Sequence, residues 1–215
     1  MDGFKAAKGK VIVEGLVKTI QENKGYLSEI DGAIGDGDHG INMSKGFSLA
    51  WERMKDEELG LEGALKTLGQ TLLNDIGGSM GPLYGQFFRK MARSLKGKEE
   101  VNAEAFEQML ESAYGAIKEL GEAKVGDKTL VDTLDPAIAV FKEAVERGKS
   151  FNVALDEMVA AAEKGKDSTF DLVAKIGRSA RLGERSRGAL DAGAVSCFLM
   201  LKSMSGSVQQ LLGGE

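Results

Sequence analysis

Two carboxylates, the only histidine of the chain and three glycines lie within residues 34–40, IGDGDHG. A third carboxylate, Asp31, precedes them by a few residues. Ionised together, Asp31, Asp36 and Asp38 would repel one another strongly unless a cation lay among them. Carboxylate oxygens suit Mg²⁺, Mn²⁺ or Ca²⁺, whereas a softer metal would call for more histidine or cysteine. The pattern therefore predicts a site for a hard divalent cation.

Two other roles exist for aspartates in such a stretch. An EF-hand loop that starts at Asp36 fails, because Ile41 takes the sixth position, where glycine is required, and Phe47 takes the twelfth, where glutamate is required. Aspartates in glycine-rich links are also common turn and N-cap residues. That second role stays open for each of the three taken singly.

A helix is predicted to begin near Gly40, beside the carboxylates. The first amides of a helix have no partner inside it, so a helix start is a natural seat for a phosphate. The residues predicted to present free amides are His39, Gly40, Ile41 and Asn42. Carboxylates beside such a seat are typical of a metal–nucleotide site. For His39, capping or hydrogen bonding stays open beside a chemical role such as a phosphohistidine.

A second phosphate seat is predicted in residues 77–85, GGSMGPLYG, where Ser79 adds a hydroxyl to the amides of a helix start. The usual nucleotide loops are missing. Residues 148–150, GKS, resemble the end of a P-loop, but Glu143 stands where its first glycine is required. No GxGxxG opens a βαβ unit, so any phosphate site here is neither a Walker nor a Rossmann site.

Apolar residues recur at helical spacing along almost the whole chain, and no β-hairpin pattern is evident. One example, on the helix after residue 40, is the set Met43, Phe47, Ala50, Trp51 and Met54. The two prolines, Pro82 and Pro136, are predicted to lie in first helical turns. The sequence thus predicts one all-α domain of roughly eight helices.

Glycines gather in four links, at residues 32–40, 77–85, 121–126 and 183–193. Links at one end of a helical bundle lie together, so these four are predicted to form one site there. Near the last link, in GRSARLGERSRGALDAGA, one of Arg178, Arg181, Arg185 and Arg187 could neutralise a phosphate, and Asp191 could shape a base or ribose pocket, although a solvated helix end is the alternative.

Composition limits the partners. The formal charge is −5, which argues against nucleic acid or an anionic membrane surface as the main partner. The single cysteine, Cys197, excludes a disulfide within the chain. No segment has the pattern of a signal peptide or a membrane span, so a cytoplasmic protein is expected.

The chain resembles the nucleotide-binding L subunit of bacterial dihydroxyacetone kinases, equivalent to the C-terminal domain of single-chain dihydroxyacetone kinases. Four motifs carry the resemblance, in the family's order and at its spacing: Asp31 with IGDGDHGINM, GGSMGPLYG, GDKTLVD and GRSARLGERSRGALDAGA. It covers nearly the whole chain. It implies an eight-helix antiparallel barrel of helices over residues 1–215, a single domain with the nucleotide site at one end.

The resemblance also implies ligands and the residues that hold them. ADP or ATP is expected with two Mg²⁺ ions, and Asp31, Asp36 and Asp38 correspond to the metal ligands. The positions that correspond to phosphate contacts are His39, Gly40, Ile41, Asn42, Ser79 and Met80. The positions that surround the rest of the nucleotide are Gly121, Leu130, Arg178 and Asp191.

By the same resemblance, the acceptor, dihydroxyacetone, lies on a separate K subunit, and no nucleophile is needed in this chain. A chain without a sugar-binding domain favours the multi-subunit arrangement, in which bound ADP is rephosphorylated by a phosphohistidine on an M subunit of the phosphotransferase system. A homodimer is also compatible with it. The alternatives are an ATP-dependent version, a related kinase with another acceptor-binding partner, and a non-catalytic regulatory module that binds nucleotide.

Three positions depart from the family's pattern. Met80 stands where serine is frequent, Leu130 where methionine is common and Ala192 where proline usually follows the aspartate. Met80 removes one hydroxyl donor, Leu130 is a nearly volume-conserving change, and Ala192 is expected to leave the link less rigid. These departures bear on the affinity for the nucleotide more than on its identity.

Overall fold

Nine α-helices make up most of residues 3–214, the part of the chain that the computed structural model describes. They are α1 (Lys10–Glu22), α2 (Lys24–Ile34), α3 (His39–Met54), α4 (Leu61–Asp75), α5 (Met80–Ser94), α6 (Ala103–Leu120), α7 (Val131–Glu146), α8 (Phe151–Ser168) and α9 (Ala192–Leu212). Short 3-10 helices span Ala6–Lys8, Thr169–Asp171 and Ser179–Ser186. The predicted domain range 1–215 extends past the described residues at both ends. The all-α prediction is confirmed.

Each helix forms because one of its faces is apolar and becomes buried. On α3, Met43, Phe47, Ala50 and Met54 are fully buried, and Trp51 packs at the edge of the same cluster. Their spacing places them on one side of a helix with 3.6 residues per turn. The face predicted for this helix is therefore confirmed.

The helices pack in a closed ring. From α2 to α9 each helix packs against the next one in the chain, and α9 packs back against α1. The chain therefore alternates in direction around the ring, so that α3, α5, α7 and α9 begin at one end while α2, α4, α6 and α8 finish there. This antiparallel ring agrees with the expected barrel of helices.

The expected count of eight helices and the observed count of nine α-helices in residues 3–214 differ because of one bend. Only Asn23 separates α1 from α2. Its amide donates to the Thr19 carbonyl at 3.1 Å and its carbonyl accepts the Leu27 amide at 2.9 Å, so helical hydrogen bonding continues through it. Its φ of −99° and ψ of 9° turn the axis. The two segments act as one bent helix, and the ring then has eight members.

The first described residues form the one piece of sheet among residues 3–214. Strand β1 (Phe4–Lys5) pairs antiparallel with β2 (Glu100–Val101), with Phe4 opposite Val101. Strands this short leave no periodic signal in a sequence. Among the described residues, no helix has the length and apolarity that crossing a membrane requires.

Pro136 does not lie in a first helical turn, and that expectation was wrong. It is the sixth residue of α7, which begins at Val131. The helix starts earlier because local bonds fold the link into it: the Asp132 carboxylate accepts the Thr129 amide at 2.8 Å, and the Thr129 hydroxyl accepts the Val131 amide at 3.1 Å. Pro82, the third residue of α5, lies in the first turn as expected.

Glycine at position 165 lets α8 approach α7 closely. A Cβ atom there would overlap the Asp132 carbonyl oxygen and would lie 3.0 Å from the Thr133 Cα, and both obstacles are backbone. Asp132 and Thr133 belong to the first turns of α7, near the end of the ring where that helix begins. Gly165 therefore sets the position of the α7 start.

We expect Gly165→Ala to lower the free energy of unfolding by about 1–3 kcal/mol, because the added methyl group must push two helices apart. The matched control is Gly206→Ala on α9, where a Cβ meets nothing within 4 Å. There the better helix propensity of alanine should stabilise the protein by up to about 1 kcal/mol. Urea denaturation followed by circular dichroism measures both, and equal effects would contradict the close approach.

Candidate functional site

A pocket of about 330 Å³ opens at the end of the ring where α3, α5, α7 and α9 begin. Its wall comes from five separate stretches of the chain, within residues 31–42, 77–84, 128–130, 176–179 and 191–193. Three of the four glycine-rich links contribute to this wall. The link at residues 121–126 does not, and the residues just after it contribute instead. The sequence therefore predicted three of the links that line the pocket, and residues 128–130 take the place expected for residues 121–126.

The three aspartates meet at this pocket. One oxygen each from Asp31, Asp36 and Asp38 lies within 4.8 Å of the other two. Asp31 is in the last turns of α2, and the link that carries the other two turns back sharply at Gly37, whose φ is +75°. The Asp31 carboxylate also accepts the His39 amide at 3.2 Å. Three hard oxygen donors this close fit a divalent cation such as Mg²⁺.

Arg178 reaches this cluster from the segment between α8 and α9. Its guanidinium pairs with Asp36 and lies 3.9 Å from Asp38. About half of each of these carboxylates is exposed, so the pair adds little to stability. Its effect is local, because it places one positive charge among three negative ones. The resemblance placed Arg178 around the rest of the nucleotide, and the structure places it beside the metal-ligand candidates.

The start of α3 contributes two residues to the wall, not the four expected. His39 and Asn42 line the pocket, whereas Gly40 and Ile41 do not. Residues three apart share a helix face, while Gly40 packs against α2 and Ile41 is half exposed. The Asn42 amide is not free, since it donates to the Asp38 carbonyl at 2.9 Å. The Asn42 side chain is therefore the group available to a ligand.

The start of α5 forms the second predicted seat. Residues 77–80 line the pocket, and Gly78 has a φ of +72°, a conformation that glycine adopts without strain. Ser79 takes the N-cap position, but its side chain does not cap the helix. Within residues 3–214, no hydrogen bond is made by the amides of Met80 and Gly81. These amides, with the Ser79 hydroxyl, can bind an anion.

The starts of α7 and α9 differ, because side chains just before them bind their first amides. The Thr129 hydroxyl accepts the Val131 amide at 3.1 Å. Asp191 accepts the Ala194 amide at 2.8 Å, and Ala192 is the first residue of α9 without the usual proline. Burial raises the pKa of the Asp191 carboxyl to about 7, against the lowering effect of the Ala194 amide. Leu130, 7% exposed, precedes α7 and gives this side of the pocket an apolar wall.

His39 turns its ring into the protein. Nε2 lies 2.9 Å from the hydroxyl oxygen of Ser196 on α9. Burial lowers the pKa of His39, while the Asp31 carboxylate acts in the opposite direction. The contact with Ser196 gives the hydrogen-bonding alternative for this histidine a physical basis.

Lys128 lines the pocket with a side chain that is almost fully buried. Its ammonium donates to three carbonyls, those of Thr169 at 2.7 Å, Leu172 at 3.2 Å and Ala189 at 2.6 Å. These bonds use all three of its protons, and burial lowers its pKa. Lys128 therefore braces the chain between α8 and α9 against the start of α7. A role for its charge at the pocket rim does not fit this geometry.

The pocket unites ten of the thirteen predicted site residues: Asp31, Asp36, Asp38, His39, Asn42, Ser79, Met80, Leu130, Arg178 and Asp191. The other three lie outside its wall. Gly40 and Ile41 are described above, and Gly121 is an exposed residue at the end of α6. Sequence reasoning missed Tyr84 and Ile176, although both are next to or within the quoted motifs. Ser196 carried no signal, because it lies in an apolar helical run.

Residues 33–206 match the family model described as the DAK2 domain. The chain belongs to the DAK2 domain family. A DAK2 relative from Escherichia coli (strain K12), named PEP-dependent dihydroxyacetone kinase, ADP-binding subunit DhaL, is 36% identical over 84% of this chain and 86% of its own length. A relative of the same type from Listeria innocua, numbered kinase 2, is 36% identical over 88% of this chain and 89% of its own length.

Longer proteins carry the DAK2 domain as one part. An L-erythrulose kinase from Pectobacterium atrosepticum is 32% identical over 83% of this chain, which spans 31% of that protein. The solved dihydroxyacetone kinase from C. freundii, in complex with AMP-PNP and Mg²⁺, superposes with a TM-score of 0.69 at 25% identity. The match covers 92% of this chain and about a third, 33%, of that one.

The raised pKa of Asp191 predicts a pH-dependent stability. The native carboxyl holds its proton up to about pH 7, whereas the unfolded chain loses it near the ordinary value of 3.8. Between these values the native state binds more protons, so stability must fall as pH rises, and the loss is complete above the native pKa. We expect Asp191→Asn, which keeps an N-cap side chain, to remove this part of the pH dependence.

Urea denaturation of nucleotide-free protein at several pH values between about 4 and 7 measures the effect. The difference in the free energy of unfolding between wild type and Asp191→Asn should change steadily across that pH range. Asp56→Asn, an exposed aspartate between α3 and α4, is the control and should run parallel to the wild type. If the free energy of unfolding of Asp191→Asn followed pH in parallel with that of the wild type, the raised pKa would be contradicted.

Proposed function

We propose that this chain is the nucleotide-binding subunit of a dihydroxyacetone kinase. It holds Mg-ADP or Mg-ATP and passes the phosphoryl group to dihydroxyacetone bound on a separate K subunit. One observation carries the proposal: three carboxylates within 4.8 Å of one another adjoin the uncapped start of a helix in a single pocket. The relatives named as ADP-binding subunits and the kinase solved with AMP-PNP and Mg²⁺ support the choice of ligand.

In this proposal Asp31, Asp36 and Asp38 hold two Mg²⁺ ions. Bound Mg²⁺ would neutralise the phosphates and stabilise the charge of the transferring phosphoryl group. Asp36 would hold Mg²⁺ together with Asp31 and Asp38, since one oxygen from each lies within 4.8 Å of the other two. Arg178, which pairs with Asp36, adds a positive charge on the side where negative charge gathers.

The remaining predicted residues divide by their place in the pocket. His39, Asn42, Ser79 and Met80 line the side formed by the two helix starts, where we place the phosphates. Leu130 and Asp191 line the part formed by the starts of α7 and α9, where we place the base and ribose. Gly40, Ile41 and Gly121 do not line the pocket, and we keep them in the proposal as neighbours of the nucleotide.

The protein's part in phosphoryl transfer is to position and to neutralise charge. The proposal includes no nucleophile from this chain, and the acceptor hydroxyl comes from the sugar on the partner. Helix amides and the Ser79 hydroxyl are fixed before the reaction, so little reorganisation is needed as charge moves between phosphate oxygens.

Exposed apolar side chains surround the pocket end and support docking of a partner there. Ile41, Leu120, Val125, Phe170 and Ile176 are each between 39% and 57% exposed. All five lie at or near the helix ends that meet at this pocket. Large exposed apolar groups gathered in one region are typical of interaction sites. We place the K subunit and, alternately, the phosphohistidine-carrying M subunit on this surface.

The rest of the proposal concerns assembly and location. We propose that residues 1–215 form one DAK2-type domain, because the buried apolar residues make a single cluster that draws on all nine helices. ADP is proposed to stay bound as a cofactor, and a homodimer is a further option. The cytoplasmic location stays a prediction.

A second candidate is a kinase subunit with a different acceptor. The relatives named L-erythrulose kinase and D-erythrulose kinase, at 32% and 30% identity, favour it. The acceptor would lie on another chain in either case, so this pocket does not discriminate between them. A K subunit supplied with dihydroxyacetone or erythrulose does, through the rate of product formation. Nucleotide binding without transfer to any acceptor would instead indicate a regulatory module.

Asp36→Asn should weaken Mg-ADP binding by about 100-fold or more, because the variant removes one of the three carboxylates that would hold Mg²⁺. Asp56→Asn is the matched control, an exposed aspartate in the link after α3, at the other end of that helix from the pocket. Isothermal titration calorimetry with Mg-ADP measures both. Unchanged affinity in Asp36→Asn would refute the metal site. Thermal unfolding without nucleotide should be nearly equal for the two variants, which separates loss of binding from loss of fold.

The donor is tested on protein purified without added nucleotide. After denaturation, the released small molecules are identified by anion-exchange chromatography and mass spectrometry, and metals are quantified. We expect one ADP and about two Mg²⁺ per chain if ADP is a resident cofactor. Protein that is empty but binds Mg-ATP on addition would contradict the resident cofactor and favour the ATP-dependent version.

A further inference from the structure

Three polar side chains meet where α3, α5 and α9 begin, and we call them the hydroxyl–imidazole cluster: His39, Tyr84 and Ser196. The Ser196 oxygen lies 2.9 Å from His39 Nε2 and 2.7 Å from the Tyr84 hydroxyl. It also lies 3.1 Å from the Gly193 carbonyl, one turn earlier on α9. Tyr84 and Ser196 are almost completely buried. Buried polar atoms must find partners in the protein, so the protons in this cluster can be assigned.

The assignment starts from the Gly193 carbonyl, which can only accept. Its two candidate donors are Ser196 at 3.1 Å and Tyr84 at 3.4 Å. Tyr84 lies much closer to the Ser196 oxygen, at 2.7 Å, so we assign its proton to that oxygen and the Ser196 proton to the carbonyl. A hydroxyl has one proton and two lone pairs. With its proton assigned to the Gly193 carbonyl, Ser196 offers a lone pair to His39, and this assignment places a hydrogen on Nε2.

The other ring nitrogen of His39, Nδ1, has no hydrogen-bond partner among residues 3–214. His39 lines the pocket, and its own amide donates to the Asp31 carboxylate at 3.2 Å. Ser196 on α9 thus holds the ring at Nε2, and the ring lies beside the carboxylates. In a neutral ring whose Nε2 carries the hydrogen, Nδ1 is a hydrogen-bond acceptor.

We propose that Ser196 is a positioning residue: it fixes the His39 ring with Nε2–H toward α9 and leaves Nδ1 to accept a hydrogen bond from the ligand. The donor would be a water molecule bound to the cation, because Mg²⁺ keeps several waters in protein sites and phosphate oxygens are themselves acceptors. The role of Nδ1 rests on the proposed function. The orientation of the ring does not, since Tyr84, Ser196 and Gly193 determine it.

His39 is the only histidine of the chain, so its ring nitrogens can be observed without overlap. Two-bond ¹H–¹⁵N correlation spectra of the full-length, nucleotide-free protein distinguish a protonated ring nitrogen from an unprotonated one. We expect one tautomer, with hydrogen on Nε2. In Ser196→Ala the lone pair that selects this tautomer is gone, and the signals should move toward the averaged values of an exchanging mixture. A wild-type spectrum with hydrogen on Nδ1 would overturn the proposal, whichever variants fold.

Tyr84→Phe is the matched control, because it deletes a hydroxyl from the same cluster. In that variant Ser196 still donates to Gly193 and still accepts from His39, so the tautomer should be kept. Mg-ADP affinity should fall about tenfold in Ser196→Ala and less than about threefold in Tyr84→Phe. An altered tautomer with unchanged affinity would overturn the positioning role, as would a retained tautomer in Ser196→Ala. Failure of the wild type to bind Mg-ADP would refute the proposed function instead.

Discussion

The direction of the helices around the ring is the constraint on which the site depends. Neighbours alternate in direction, so four of the helices α2–α9 begin at one end of the ring and the other four finish there. The amides of a helix start carry partial positive charge, and alternation brings several starts together at a single end. At α7 and α9 a first amide is bound by a neighbouring side chain, that of Thr129 and that of Asp191. At α5 the amides of Met80 and Gly81 have no partner among residues 3–214, and the pocket lies against that helix start.

Charge balance explains why this end carries both signs. Asp31, Asp36 and Asp38 concentrate negative charge in a small space, and Arg178, more than 130 residues away in sequence, is brought beside them by the ring. Neither the carboxylates nor the helix starts alone favour a Mg-nucleotide. Together they present acceptors to a cation and donors to the phosphates that the cation neutralises.

Buried polar contacts give the pocket its shape. Lys128 uses all its protons on carbonyls of the segment before α9, and Asp132 accepts two amides of the link before α7. Ser196 connects α9 to α3 and α5. Burying any of these groups without a partner would be unfavourable, so each hydrogen bond favours one arrangement of the segments that it joins. The wall of the pocket is therefore held by a few polar braces, while apolar packing along the helices supplies most of the stability.

The sequence by itself determined the helices, the buried face of α3, the aspartate cluster and two of the glycine-rich links that line the pocket. These features are local, because periodicity and spacing act over a few residues. Only the tertiary structure decided the rest. Gly40 and Ile41 face away from the pocket because α2 packs beside α3, α7 starts before Pro136 because Asp132 folds its link, and Lys128 is a brace because three distant carbonyls reach it. Ser196 gave no signal at all, since a serine in an apolar run acquires its role only when the ring places Tyr84 and His39 beside it.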